Sequence, residues 1–121
     1  MLQRIHAKAL ALQDETGAVS VIVTTDLVGL PKSVADEMAA RAEASYKIPR
    51  ARLVLNSSHT HSAPVVGTRV RPAYVVDARQ EKVIAAYTGS LIERVHQVIG
   101  AALKDLSPAT LAFNQGFAGS R

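Results

Sequence analysis

Residues 19–34 read VSVIVTTDLVGLPKSV, and the fold turns on how this stretch is parsed. Its first part, Val19–Leu27, is rich in β-branched side chains and apolar on both faces through its middle, which predicts a strand covered on both sides. The strand ends at Asp26, and Gly29 lets the chain turn. Pro31 suits a first helical turn, and Ser33-Val34-Ala35-Asp36 resembles a capping box with Asp in place of Glu. Val34, Met38 and Ala42 then share a helix face with Leu30, while Lys32, Glu37, Arg41 and Glu43 lie elsewhere. Pro49 biases Ile48 away from helix, so the helix is predicted to stop near Tyr46 or Lys47.

Upstream, Ile5–Gln13 (IHAKALALQ) is a short-period run bounded by Asp14-Glu15-Thr16-Gly17, and it reads as the first arm of a hairpin with the strand that follows. Downstream, Arg52–Asn56 (RLVLN) is a short strand. Ser57–Val76 is a long irregular stretch holding Pro64, Gly67 and Pro72, of the length expected for a lid or binding loop. Asp77-Ala78-Arg79-Gln80 reads as an N-cap with Gln at the box position. From there to Lys104, Val83, Tyr87, Leu91, Val95, Val98, Ile99 and Leu103 recur at helical spacing. Ser107-Pro108 closes this helix, and Thr110–Gln115 (TLAFNQ) reads as a last strand. The order β-β-α-β-loop-α-β implies one α/β domain over residues 1–121, with a mixed, partly parallel sheet and two main helices packed on it.

The chain has 121 residues, 48% of them hydrophobic and 20% charged, as in an ordinary globular domain. Trp and Cys are both absent, so the core is aliphatic, and disulfides, thiolate metal sites and Cys nucleophiles are excluded. The formal charge of +4 is spread over scattered Lys and Arg with no aromatic platform between them, which argues against a nucleic-acid partner. No apolar run approaches the ~20 residues of a membrane span, and the N-terminus lacks a signal-peptide layout. P-loop, dinucleotide-binding and nucleophile-elbow motifs are also missing.

The chemistry concentrates in LNSSHTHSAPVVG, residues 55–67. His59 and His61 stand one residue apart just after a strand, where a loop can turn both rings toward one centre. In open α/β sheets, sites form beyond the carboxyl ends of strands. Asp26 ends the preceding parallel strand and is placed to orient a ring or act as a base. Neutral imidazole is the commonest metal ligand and titrates near neutral pH, so one ring can bind Zn²⁺ while the other handles a proton. Ser57, Ser58, Thr60 and Ser62 offer hydroxyls to fix the rings. Spacing alone leaves a surface or capping role for the pair equally open. His6 reads as a surface or pairing residue in the first strand, His96 as a solvated helix residue and Tyr87 as core. Tyr74, in the long loop, is the better phenolic site candidate.

VSVIVTTDLVGLPKSV followed by IPRARLVLNSSHTHSAP resembles the N-terminal domain of the neutral/alkaline non-lysosomal ceramidases, closely from about Ile5 to Pro64. The family pattern is a strand ending in Asp-Leu, a helix, an Ile-Pro-Arg lead-in, a strand, then Asn-x-x-His-Thr-His-Ser-Gly-Pro. The resemblance implies a Zn²⁺-dependent amidohydrolase that cleaves the N-acyl amide of ceramide to sphingosine and a fatty acid. It makes His59 a zinc ligand and places His61 beside the zinc-activated water. It also implies a lipid amide substrate, peripheral membrane contact for substrate access, and a secreted, periplasmic or membrane-associated setting. Ala63 stands where the family usually has Gly. Family members are several times longer, and their further His, Glu and Tyr ligands lie downstream. The chain therefore reads as a fragment of a larger catalytic domain, inactive alone, with its remaining zinc ligands supplied from outside it. The alternative is a non-catalytic metal- or ligand-binding α/β domain on the same scaffold.

Overall fold

The computed structural model describes residues 4–67, 75–117 and 119. Strand β1 (Ala7–Gln13) and strand β2 (Val19–Thr25) form an antiparallel hairpin in which Gln13 faces Val19. The turn between them is held by one carboxylate. Asp14 Oδ1 accepts from the Thr16 and Ala18 amides at 2.9 and 3.0 Å and from the Thr16 hydroxyl at 2.5 Å. Gly17 supplies the left-handed residue of this turn, with φ +83°.

Helix α1 (Lys32–Tyr46) returns the chain to strand β3 (Leu53–Ser57), which pairs parallel to β2 with Val23 facing Leu55. The sheet order is β1-β2-β3, so the sheet is mixed and partly parallel. The capping box expected at Ser33 does not form. Pro31 takes the N-cap position, and the helix opens one residue before Ser33, at Lys32. At the other end Lys47 adopts φ +59°, and Ile48 then enters the core. A short 3₁₀ turn, Arg50–Arg52, leads into β3.

Helix α2 (Ala78–Lys104) opens with the capping box read from Asp77 and Gln80: each side chain accepts from the other's backbone amide, at 2.7 and 2.9 Å. Its buried side chains, Leu91, Ile92, Val95 and Ile99, begin three turns in, and Val83 is exposed. One core joins them to Val34, Met38, Ala39 and Ala42 of α1 and to Val21, Val23 and Leu53 of the sheet. Both helices thus cover the same sheet face.

Two further features differ from the sequence expectation. No described element covers the opposite sheet face: Leu10, Ile22 and Val54 face one another across it, and Leu10 and Val54 are each 53% exposed. The β-branched run in β2 suits a pleated backbone whether or not both faces are covered. Residues 110–115 form no strand; Leu111 and Phe113 are exposed, and among the described residues no backbone pairs with the segment. The long loop of residues 57–76 is irregular over 58–67 and 75–76, while Tyr74 lies outside the described residues. No described helix is long and apolar enough to cross a membrane.

Candidate functional site

Parallel pairing of β2 with β3 brings their carboxyl ends together. The buried Thr25 hydroxyl bridges them, donating to the Asn56 carbonyl at 3.2 Å and lying 3.0 Å from Ser57 Oγ. The Ser58 amide adds a bond of 2.9 Å to the Thr25 carbonyl. The histidine loop therefore leaves from a fixed platform.

His59, the next residue, has φ +59°. That backbone is costly for a residue with a Cβ, by about 1–2 kcal/mol. What the geometry achieves is a bond of 2.7 Å between His59 Nδ1 and the carbonyl oxygen of Val28, in the loop after β2. A carbonyl can only accept, so Nδ1 carries the hydrogen, and in the neutral ring Nε2 is left with its lone pair. A backbone carbonyl fixing one ring nitrogen is the usual support of a metal-binding histidine. His61 lies edge-on to it, with ring centroids 5.1 Å apart and planes at 78°. Both rings are solvent-exposed.

The ring of His59 is fixed by Val28 and not by the hydroxyls of Ser57, Ser58, Thr60 or Ser62. Ser57 bonds Thr25, and Thr60 Oγ1 accepts from the Ser62 amide at 3.3 Å. A backbone carbonyl carries no side-chain signature, so Val28 is invisible to motif reading.

Asp26 does not join the pair. Its Oδ2 accepts the His6 amide at 2.9 Å and lies 3.6 Å from His6 Nδ1, while its own amide donates to the His6 carbonyl at 3.0 Å. No hydrogen bond or ion pair connects it to His59 or His61 among the described residues. His6 precedes β1, and its pairing is the one the hairpin dictates: Gln13 opposite Val19 puts residue 6 opposite residue 26. His96 is not simply solvated. Its ring stacks on Tyr46, centroids 4.7 Å apart, and its carbonyl accepts the Tyr46 hydroxyl at 3.2 Å. Tyr87 packs partly buried against the core, and that burial pushes its phenol above the usual 10.0.

Beside His61 lies a cleft of about 260 Å³. Two segments line it, residues 28–31 as a first wall and residues 63–66 as a second, together with Thr60 and His61. The second wall is tied to α2: the Gly67 amide donates to Thr88 Oγ1 at 2.9 Å, and the Thr88 hydroxyl donates to the Ile84 carbonyl at 2.7 Å.

The donor set fits zinc in part. His59 presents an Nε2 without a hydrogen-bond partner among the described residues, on a fixed ring with a second imidazole close by. A catalytic zinc takes three protein ligands and an open position, and the described residues contain no group of three such side chains able to hold a metal ion. Compared with family models, curated proteins and solved structures, the chain matches none.

Proposed function

We propose that the chain supplies His59 as a metal ligand, and His61 as the adjacent acid–base group, to a zinc-dependent amide hydrolase of the ceramidase type. The observation that carries the reading is the Nδ1–Val28 bond of His59, made by a residue held in left-handed backbone. Strain at a residue whose ring is fixed by a backbone acceptor marks a selected geometry. Zinc, when bound, polarises the amide carbonyl and acidifies a water. The chain's own residues would do the rest. His59 would hold the metal through Nε2, His61 would take or return a proton at a ring nitrogen, and the cleft would receive part of the substrate. Asp26 anchors the start of β1 through Oδ2, and no hydrogen bond or ion pair among the described residues links it to His59 or His61. The remaining ligands would come from outside the described residues, and the chain alone would not turn over a ceramide.

A second reading, a non-catalytic metal- or ligand-binding domain, keeps the same His59 geometry. It draws support from the incomplete donor set among the described residues.

Calorimetric titration of zinc into the metal-free chain, beside His59→Ala and His61→Ala, tests both. The hydrolase reading expects weak binding that depends on His59. Sub-micromolar one-to-one binding would favour the second reading, and EDTA-sensitive turnover of a ceramide by the pure chain would show that the ligand set is complete within it. Zinc binding indifferent to His59 would sink both readings.

A further inference from the structure

Strand β1 is an edge of the sheet, and its backbone is open on the side away from β2. The Asp26 amide bonds the His6 carbonyl, and the Asp14 amide bonds the Ala18 carbonyl, at 3.0 and 3.1 Å. In an antiparallel ladder, bonded pairs alternate with unbonded ones. The register therefore directs the amides and carbonyls of Lys8, Leu10 and Leu12 at β2, and those of Ala7, Ala9, Ala11 and Gln13 outward. The edge is seven residues long, without proline or bulge, and Lys8 is its one charge. Among the described residues no backbone pairs with it. An edge of that kind recruits a further strand. We propose that the recruited strand is β1 of a second copy of the chain, paired antiparallel about a two-fold axis through Leu10.

Register, apolar surface and charge each select this occupant. Pairing about Leu10 matches all seven residues: Ala7 with Gln13 of the second copy, Lys8 with its Leu12, Ala9 with its Ala11, and Leu10 with its Leu10. It joins the outward-facing residues in bonded pairs, roughly eight hydrogen bonds in all, near the ~10 of a typical interface. Centring on Ala9 would bring the Lys8 side chains of the two copies within about 7–8 Å. About Leu10 they stand about 14 Å apart, beyond the ~8 Å over which physiological salt screens them. Leu10, Ile22 and Val54 form one row across the sheet. The axis falls on that row, so the row continues unbroken into the second copy, and Leu10 gains the facing leucine as cover. The pairing also carries the Arg4–His6 end of one copy to the Asp14–Glu15 turn of the other. Asp14 already has Arg52 at 3.6 Å, whereas Arg4 and Glu15 have no ion-pair partner among the described residues. The axis stands perpendicular to the sheet, which keeps the helices of both copies on one face.

Sedimentation equilibrium of the chain up to about 100 μM should show a dimer of 12.9 kDa subunits. Ala11→Pro removes an outward amide and leaves the bonds to β2 in place. It should raise the dissociation constant roughly tenfold or more. Engineered cysteines report the register, in a chain that has none of its own. Leu10 and Val54 share a face and are equally exposed, at 53%, so chance collision treats them alike. In the dimer, Leu10 faces Leu10 in an unbonded pair with Cα atoms about 4.5 Å apart, within disulfide reach. Leu10→Cys should therefore link into disulfide dimers under mild oxidation, and Val54→Cys should not. A chain that stays monomeric at that concentration would overturn the proposal. So would Val54→Cys linking as readily as Leu10→Cys, dimerisation indifferent to Ala11→Pro, or assembly growing past two copies. Those last three results would move the contact to the open face or to the edge at β3. The cysteine comparison stands even if Ala11→Pro fails to fold.

Discussion

Tyr46 and Gly100 are in van der Waals contact across the two helices: a Cβ built on Gly100 would lie 2.9 Å from Tyr46 Cζ, and nearer still to the hydroxyl. The phenol reaches the His96 carbonyl over this glycine, and its ring stacks on the His96 imidazole. The glycine is what lets α1 and α2 close at this point.

Gly89, in the same helix, has open space around it. The two glycines should therefore respond oppositely to alanine. Gly89→Ala should stabilise by about 1 kcal/mol through helix propensity alone. Gly100→Ala should destabilise, because the overpacking cost of about 1–3 kcal/mol exceeds that gain. Urea denaturation of both variants would show it, and stabilisation by Gly100→Ala would mean Tyr46 is free to move away.

His59 offers a second comparison. In an ordinary loop, alanine matches or exceeds glycine in stability, because glycine leaves the unfolded chain freer. At φ +59° the order should invert, with His59→Gly more stable than His59→Ala by about 1 kcal/mol. Thermal melts of the pair decide the matter, and alanine above glycine would refute the left-handed backbone.

Asp14 carries the acid sensitivity of the hairpin. Its carboxyl is held below the usual 3.8, first by the Thr16 hydroxyl, then by the Ala18 amide, with Arg52 contributing less. A lowered folded-state value means that its stabilisation is fully present above 3.8 and is lost as pH falls through the lowered value. Asp14→Asn should therefore be less stable than the parent at neutral pH, and the gap should close in strong acid. Melting curves between neutral pH and about pH 2 would reveal a constant gap if the carboxylate were irrelevant.

Thr88 fastens the cleft wall to α2 through the Gly67 amide. Thr88→Val keeps the shape and removes the acceptor, at a cost of about 1–3 kcal/mol for the amide left unpaired. Hydrogen exchange at Gly67 should accelerate while exchange in β2 changes little. Equal acceleration in both would mean the wall and the sheet open as one unit.

What could be read from the chain follows from how local each signal is. The Asp77–Gln80 box, the apolar stripe of α2 from Tyr87 onward and the end of α1 before Pro49 each depend on residues within one or two turns, and each is present; Val83, at the head of the expected stripe, is exposed because the core begins further along the helix. The Asp14–Gly17 turn is equally local, and the hairpin register it fixes already places His6 beside Asp26. Residues 110–115 show why the same reasoning failed there. Alternation describes a backbone able to pair, but a strand also needs a neighbour, and the neighbour is a property of the assembled sheet. Ser33 failed for a different reason: the helix opens at Lys32 on Pro31, so Ser33 falls inside the first turn and its hydroxyl caps nothing. At the site, the His59–His61 pair was legible as a motif. Its orientation was not, because the atom that fixes the ring is a main-chain oxygen.

The sheet face bearing Leu10, Ile22 and Val54 has a calorimetric consequence. Unfolding changes the heat capacity in proportion to the apolar surface newly wetted, at about 12–15 cal/mol/K per residue in typical domains. Leu10, Val54, Leu111, Phe113 and Phe117 are already largely wetted in the native chain, so their exposure adds little. The increment should fall below that range, giving a stability curve flatter in temperature than the chain's length alone would suggest.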